Sequence, residues 1–299
     1  MDKTDFREAV NRNKIIYHVA ALTAVAVWAS TYISTKLLLR IFHPVEISLF
    51  RFVIAYIFLL IIKPGFDFRI SFKRDKYFIL AGFFCMFLYY FLENLATKYT
   101  YASNVSLIVS CIPILTSILA HFVNRDERLK NKIIIGFILS LTGIVLVILS
   151  KGEIIKFSFG GDILAFGAAV TFSIYNIIIR RISKDIHILD IVRKSIFYGL
   201  IFMFIAYLIN PEKHSLLLIV QIPEILHLLF LGIFASGLCF IMWNKSVKEI
   251  GSIKASQYIY LCPIITVILS VIILHEPLSI LKITGMAVIL LGVFISQKK

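Results

Sequence analysis

The sequence predicts an all-α integral membrane protein, with ten transmembrane helices arranged as two inverted five-helix repeats. Three observations predict this fold class. Apolar runs of roughly 20 residues, the length that spans a bilayer core, occupy nearly the whole chain. A series of residues recurs at a fixed interval, and basic residues cluster on alternate sides of the runs. Of the 299 residues, 60% are hydrophobic and only 16% are charged, which is too few charges for a soluble protein of this length.

The apolar runs define ten predicted spans. They are Ile15–Leu38, Val45–Ile62, Tyr77–Ala96, Ala102–Phe122, Lys132–Leu149, Asp162–Ile179, Leu189–Ile209, Ile222–Trp243, Ser252–Leu274 and Leu278–Ile295. Only residues 275–277 separate the last two spans. We therefore expect these two helices to form a tight hairpin.

The repeat is a series of residue types that recurs 150 positions later. Gly82, Asn94, Ser106, Pro113 and Thr116 are matched by Gly232, Asn244, Ser256, Pro263 and Thr266. After a slip of one residue, Glu127, Gly136 and Gly143 are matched by Glu276, Gly285 and Gly292. In the first spans of the two halves, Trp28, Thr31 and Lys36 align with Phe172, Tyr175 and Arg180. We predict two domains, 1–150 and 151–299, each of which is one copy of the repeat.

The positions of the basic residues predict the orientation. With the N-terminus inside, 21 of the 31 lysine and arginine residues fall in cytoplasmic segments and seven in external ones. This excess places both termini in the cytoplasm. Each half then has an odd number of spans, so the second copy must enter the membrane with the opposite orientation. Inverted repeats of this kind are typical of secondary transporters.

Composition also excludes several classes of protein. The net charge of +14 arises from basic residues in short loops between apolar runs, so we expect no nucleic-acid partner. Cys85, Cys111, Cys239 and Cys262 all lie inside apolar runs without metal-like spacing, and we interpret them as packing residues. No phosphate loop, Cys/His cluster or ATP-binding domain is evident, so we expect no metal, no cofactor and no enzymatic activity.

These motifs resemble the EamA family of the drug/metabolite transporter superfamily. The resemblance rests on Trp28-Ala29-Ser30, on Pro44 and Arg51 at the second span, on the mid-helix prolines, and on the acidic residue and paired glycines near the end of each repeat. It covers residues 15–295. The second copy departs from the pattern with Phe172-Ser173 and with an entry at Asp190–Arg193 that lacks proline. The resemblance implies a central cavity lined mainly by helices 1, 3, 4, 6, 8 and 9, and alternating access.

Two predicted helices carry a face of small and hydroxyl residues at steps of three and four. The faces consist of Ser103, Ser106, Ser110, Pro113 and Ser117 in the fourth helix, and of Ser252, Ser256, Tyr260, Pro263, Thr266 and Ser270 in the ninth. Such residues can simply allow close helix packing. Each proline, however, removes one backbone hydrogen bond at mid-membrane depth. This loss favours a polar, kinked pair of helices that faces the cavity.

The candidate substrate-binding residues combine these faces with aromatic and polar side chains of the cavity helices. They are Trp28, Tyr32, Tyr89, Tyr90, Glu93, Asn94, Ser106, Ser110, Pro113, Tyr175, Ser256, Tyr258, Tyr260 and Pro263. Aromatic rings that line a cavity would hold an aromatic or cationic solute by stacking and cation–π contacts. Core packing and an interfacial belt are the alternatives for each ring.

Three ionisable residues in the spans have open roles. Glu93 either lies at the interface or projects into the cavity, as a counter-charge for an amine or as a proton site. Arg51 either pairs with Glu46, extends outward to the interface, or binds a carboxylate. Arg193 is expected to pair with Asp190, three residues earlier.

The predicted function is secondary, ATP-independent transport of small metabolites across the inner or plasma membrane. We favour export of amino acids, aromatic ones included, or of amphipathic organic cations. Uptake or exchange of a nucleotide-like or amine metabolite is the alternative, and an intramembrane lipid-modifying enzyme or a structural subunit are other classes. The expected partners are the lipid bilayer, a small-molecule substrate, and a proton or counter-substrate that supplies the energy. Both a monomer and a homodimer fit the sequence.

Overall fold

The computed structural model describes residues 3–64, 72–123, 131–149, 158–184, 186–209 and 222–297. Every regular element in these ranges is helical. We number the helices α1 (Lys3–Leu38), α2 (Pro44–Ile62), α3 (72–99), α4 (Ala102–Val123), α5 (Asn131–Leu149), α6 (Ser158–Ile182), α7 (Ile188–Ile209), α8 (Ile222–Ile250), α9 (Ser252–Leu274) and α10 (Ile280–Gln297). Each predicted span falls on one of these helices.

Seven of the described helices are long and apolar enough to cross a membrane, namely α1, α2, α3, α4, α6, α8 and α9. In α5 and α10 the apolar stretches are shorter. Helix α7 carries Asp190, Arg193 and Lys194 in its first two turns. The chain is therefore a multi-pass membrane protein, and the full set of ten spans stays a prediction.

Four helices are interrupted, at positions that match between the two halves. In α3 the segment Gly82–Tyr89 is π-helical, and in α8 the segment Phe230–Leu238 is π-helical. Helix α4 breaks between Ala102–Val109 and Ile112–Val123. Helix α9 tightens to a 3₁₀ turn at Gln257–Leu261. The last two interruptions immediately precede Pro113 and Pro263, because proline lacks the N–H that would continue the helix and clashes with the carbonyl four residues earlier.

Helices α5 and α10 pack against each other through glycines. A Cβ atom on Gly143 would lie 2.7 Å from the carbonyl oxygen of Gly285, and one on Gly292 would lie 2.6 Å from that of Gly136. The early glycine of each helix thus meets the late glycine of the other, so the two helices run antiparallel. The predicted use of these glycines for close backbone packing is confirmed.

Helices α2 and α7 are also antiparallel neighbours. The Lys63 ammonium group, just beyond the end of α2, lies 2.9 Å from the carboxylate of Asp190 near the start of α7. Farther along the pair, the rings of Tyr56 and Phe197 are 6.1 Å apart. Corresponding helices of the two halves therefore run in opposite directions at both of these contacts.

The first helix of each half packs against helices of the other half. Helix α1 packs on α8 and α9, whereas α6 packs on α3 and α4. The Lys36 ammonium group at the end of α1 donates to the carbonyls of Thr97 (2.5 Å) and Thr100 (2.7 Å). The Arg180 guanidinium at the end of α6 donates to the carbonyl of Lys248 (2.9 Å). Each cation caps the C-terminus of a neighbouring helix, so the two aligned residues have the same role.

Candidate functional site

A small cavity lies at the centre of the bundle, between α1, α3, α4, α6 and α9. Its volume is about 30 Å³, which holds about one water molecule, whereas metabolite pockets measure roughly 300–1,000 Å³. It is lined by Val25, Trp28, Thr31, Tyr32, Tyr89, Tyr90, Glu93, Val109, Ile112, Phe172, Ile259 and Cys262. Helix α8, which we expected to line the cavity, contributes no residue to its lining; its Phe240 and Trp243 rings pack behind the lining residues Trp28, Tyr90 and Phe172. In this structure the cavity is too small to hold a metabolite.

Trp28 is fixed by helix α8. Its indole Nε1 donates to the carbonyl oxygen of Ala235 at 2.9 Å. Its ring centroid lies 5.2 Å from that of Trp243 and 5.4 Å from that of Phe240. A buried indole needs a partner for its N–H, and this bond provides it. The orientation of the ring is therefore set before any solute binds.

Glu93 lies at the cavity rather than at the membrane interface. Its side chain is buried, and its Oε1 accepts a hydrogen bond of 2.6 Å from the hydroxyl of Tyr89. Tyr32 lines the same cavity from α1. Trp243 occupies the matching position in the second half, so the central carboxylate comes from one copy of the repeat only.

The two proline helices contribute matching residues to the lining. Val109 and Ile259 lie four residues before the prolines, and Ile112 and Cys262 directly precede them. Proline cannot donate to the carbonyl four residues earlier. In the second half, the Ile259 carbonyl instead accepts from the N–H of Cys262. The interrupted turns, rather than the proline rings, therefore border the cavity.

The serine hydroxyls of these helices bond to their own backbone. Ser106 donates to the carbonyl of Ser103 at 2.9 Å, Ser110 to that of Leu107 at 2.5 Å, and Ser256 to that of Ile253 at 2.9 Å. None of these three side chains lines the cavity. The geometry favours the packing interpretation of the two polar faces in this closed arrangement.

The other predicted site residues lie outside the lining. The Asn94 amide donates to the Ser48 hydroxyl of α2 at 2.8 Å. The Asn244 amide donates to the Tyr175 hydroxyl at 2.9 Å, and the hydroxyl of Tyr258 lies 2.8 Å from Nδ1 of His18. Tyr260 is buried, and Pro113 and Pro263 adjoin lining residues without lining the cavity themselves. Sequence reasoning placed Phe172 opposite Trp28 but did not select it as a site residue.

Of the three roles left open for Arg51, extension outward to the interface is wrong. Its side chain is 1% exposed, and its Nε donates to the Ser236 hydroxyl at 2.9 Å. Glu46 does not reach it but accepts a 2.8 Å bond from the backbone N–H of His43 at the start of α2. A hydroxyl group of α8 inside the bundle thus binds the Arg51 side chain, which therefore does not extend to the membrane interface. The predicted pair of Arg193 with Asp190 is confirmed at 3.3 Å.

A second, wider cleft lies where α1 and α3 end and α4 begins. Its volume is about 430 Å³, and its lining includes Lys36, Arg40, Lys98, Tyr101, His275 and Glu276. The Glu276 carboxylate accepts from the backbone N–H groups of Ala102 (2.8 Å) and Ser103 (3.3 Å) and from the Ser103 hydroxyl. It therefore joins the α9–α10 connection to the N-terminus of α4. Its repeat partner, Glu127, lies outside the described residues.

Comparison with known proteins gives a consistent picture. The model of the EamA-like transporter family matches residues 15–149 and 159–297. The chain is 28% identical over 272 residues to the uncharacterized transporter YyaM of Bacillus subtilis (strain 168), covering 88% of each chain. It is 26% identical to an uncharacterized transporter of Archaeoglobus fulgidus, covering 94% of this chain and 98% of the relative.

A solved crystal structure shares the fold with a TM-score of 0.67 at 19% identity, over 94% of this chain and 97% of the other.

Proposed function

The chain belongs to the EamA-like transporter family, and from this premise we propose that it is a secondary transporter of small metabolites that works by alternating access. Family and relatives indicate a transporter rather than an enzyme. We further propose that the substrates are amino acids, aromatic ones included, or amphipathic organic cations. Export is the proposed direction, across the cell membrane and with both termini in the cytoplasm.

The observation that carries the proposal is the central cavity and the helices around it. It lies between helices of both halves, and its lining includes matched residues from the two interrupted proline helices. The antiparallel pairs α5–α10 and α2–α7 support a ten-helix inverted repeat. Two copies of one unit with opposite orientations can form two related states, each open to one side.

The small size of the cavity supports the proposal that this structure is an occluded state of the cycle. A volume of about 30 Å³ excludes any metabolite, so the helices must separate for a solute to enter. The 430 Å³ cleft is wide enough for a metabolite. It lies on the side that the basic residues predict to be external. We propose that it is the outer vestibule of the path, and that Glu276 holds its inner end closed.

The chemistry of the lining supports the proposed substrate class. Trp28, Tyr32, Tyr89, Tyr90 and Phe172 present aromatic rings to one small volume. Aromatic faces attract cations and stack on other rings. Glu93 adds a carboxylate that can pair with a substrate ammonium group. A solute with an amine and an apolar or aromatic body fits this combination.

The test is transport by the purified protein in proteoliposomes without ATP. We expect uptake or release of radiolabelled phenylalanine, tryptophan or an amphipathic amine that exceeds the rate in protein-free vesicles. Imposed proton gradients and preloaded unlabelled solute then separate proton coupling from exchange. A panel of amino acids and amines of which no member moves under any of these gradients would contradict the proposal.

A further inference from the structure

The side chain of Arg51 has unused hydrogen-bonding capacity in the interior of the bundle. Its Nε bonds to Ser236, but the terminal nitrogens Nη1 and Nη2 are buried and have no hydrogen-bond partner among the described residues. An unpaired charge inside a protein is strongly unfavourable. A guanidinium also presents a planar pair of donors that matches the two oxygens of a carboxylate. The arrangement is that of an anion-binding group without its anion.

Arg51 lies next to the central cavity, separated from it by one ring. Its Cζ is 4.2 Å from the centroid of Tyr90, and Tyr90 lines the cavity. Ser236, its hydrogen-bond partner, belongs to the π-helical segment of α8, and Tyr90 directly follows the π-helical segment of α3. Such segments are frequent at functional sites because their geometry departs from that of the regular helix.

The matching position in the other half of the chain shows whether packing of the helices requires the Arg51 side chain. Added Cβ atoms would lie 2.9 Å from the Arg51 carbonyl oxygen at Gly232, and 2.6 Å from the Ser195 carbonyl oxygen at Gly82. Arg51 and Ser195 therefore occupy equivalent places in α2 and α7. In both places the backbone carbonyl makes the close approach, and a serine side chain suffices in one of them. The guanidinium is not required for this helix packing.

A group of opposite charge is bonded to the tyrosine that neighbours Tyr90. The Tyr89 hydroxyl bonds to the Glu93 carboxylate, and the Tyr89 and Tyr90 rings are 4.9 Å apart. One guanidinium and one carboxylate thus flank one aromatic cavity. A purely cationic solute would leave Arg51 unpaired, and a purely anionic solute would leave Glu93 unpaired. A zwitterion satisfies both groups.

We propose that Arg51 binds the carboxylate of a zwitterionic substrate whose ammonium group binds Glu93. The substrate class is then the α-amino acids with an apolar or aromatic side chain, which the surrounding rings accommodate. This inference rests on the proposed transport function. Opening of the occluded cavity, with displacement of the Tyr90 ring, joins the guanidinium and the carboxylate in one compartment.

The experiment compares solutes that differ in one charged group. Proteoliposomes with the wild-type protein, Arg51→Gln, Arg51→Lys or the matched control Ser195→Ala are assayed with phenylalanine and with phenethylamine, which lacks the carboxylate. We expect Arg51→Gln to lower the phenylalanine rate about tenfold or more, because a charged group recognised at a buried site is lost. Phenethylamine transport should stay within about twofold of the wild-type rate, and Ser195→Ala should leave the ratio of the two rates unchanged.

Arg51→Lys guards against loss of folding in Arg51→Gln. Lysine keeps the charge but cannot make two parallel bonds to one carboxylate, so the phenylalanine rate should fall relative to that of phenethylamine. An equal fall for both solutes, or no fall, overturns the inference. Wild-type protein that moves phenethylamine but not phenylalanine also overturns it and leaves the transport function standing. If neither these solutes nor the wider panel moves, the proposed function itself is contradicted.

Discussion

Glu93 is the only acidic side chain that lines the central cavity within the described residues. Tyr89 donates a short hydrogen bond of 2.6 Å to it, and no salt bridge joins it to a cation in those ranges. A carboxylate at this depth is expensive in free energy unless it is paired or protonated. This position suits a group that exchanges partners during transport, with either a substrate amine or a proton.

We expect Glu93→Gln to reduce transport of amine-containing solutes about tenfold or more, because the amide keeps the bond from Tyr89 but loses the charge. The measurement is initial uptake into proteoliposomes, with folding of each variant checked by gel filtration in detergent before reconstitution. Glu249→Gln, which removes an exposed carboxylate at the end of α8, is the matched control. A wild-type rate in Glu93→Gln would exclude Glu93 from both substrate and proton binding.

The residues at the site were predictable to different degrees. Trp28, Tyr32, Tyr89, Tyr90 and Glu93 could be selected because aromatic and acidic side chains are conspicuous in an apolar helix. Neither the inward position of Arg51 nor the return of the serine hydroxyls to their own backbone could be selected in this way. Both depend on which neighbouring atoms compete for a hydrogen bond, and that competition is decided by tertiary packing.

At the scale of the helix, the pair α5–α10 depends on the absence of side chains. Gly143 approaches Ile289 as well as Gly285, with an added Cβ 2.7 Å from an Ile289 side-chain carbon. Membrane helices gain little from hydrophobic burial against lipid, so close backbone packing carries much of their association.

We expect Gly143→Ala to lower the free energy of unfolding by about 1–3 kcal/mol, because the methyl group must displace a backbone carbonyl. Thermal unfolding in detergent, followed by tryptophan fluorescence, gives the measurement. Gly160→Ala is the control, since nothing lies within 4 Å of an added Cβ there, and it should be neutral or slightly stabilising. Equal melting temperatures for the two variants would contradict the packing argument.

The position of each helix was predictable, but its internal geometry was not. Apolar run length located the helices, and the prolines correctly marked where α4 and α9 are interrupted. The π-helical turns at Gly82–Tyr89 and Phe230–Leu238 contain no proline from which the interruption could be predicted. There the nearby approaches of Gly82 to Ser195 and of Gly232 to Arg51 involve residues distant in sequence, and composition alone does not encode such contacts.

At the scale of the whole molecule, alternating access requires each end of the bundle to open in turn. Glu276 joins the α9–α10 connection to the start of α4, and Lys282 lies 3.7 Å from its carboxylate. Lys36 at the end of α1 adds two bonds to the end of α3. These contacts hold together the end of the bundle that contains the wider cleft.

We expect Glu276→Gln to favour the state that is open at this end, because the charged acceptor of three hydrogen bonds becomes a neutral one. Loss of a charge-assisted bond shifts such an equilibrium roughly tenfold. The variant is made in a protein whose sole cysteine is Cys262, which lines the cavity. The measured quantity is the rate at which Cys262 reacts with a membrane-impermeant thiol reagent added from outside. The same protein without Cys262 gives the background, and an unchanged rate would contradict a gating role.

Within the described residues, the charged groups at the centre come from the first copy of the repeat: Trp243 stands at the position that matches Glu93, and Ser195 at the position that matches Arg51. A zwitterionic solute held between Glu93 and Arg51 would keep one orientation relative to the first half of the chain throughout the cycle. The inward- and outward-facing forms are then not energetic mirror images, and apparent affinities on the two faces of the bilayer must differ. Such a carrier works at unequal speeds in its two directions, although the gradients alone decide the final distribution of its solute.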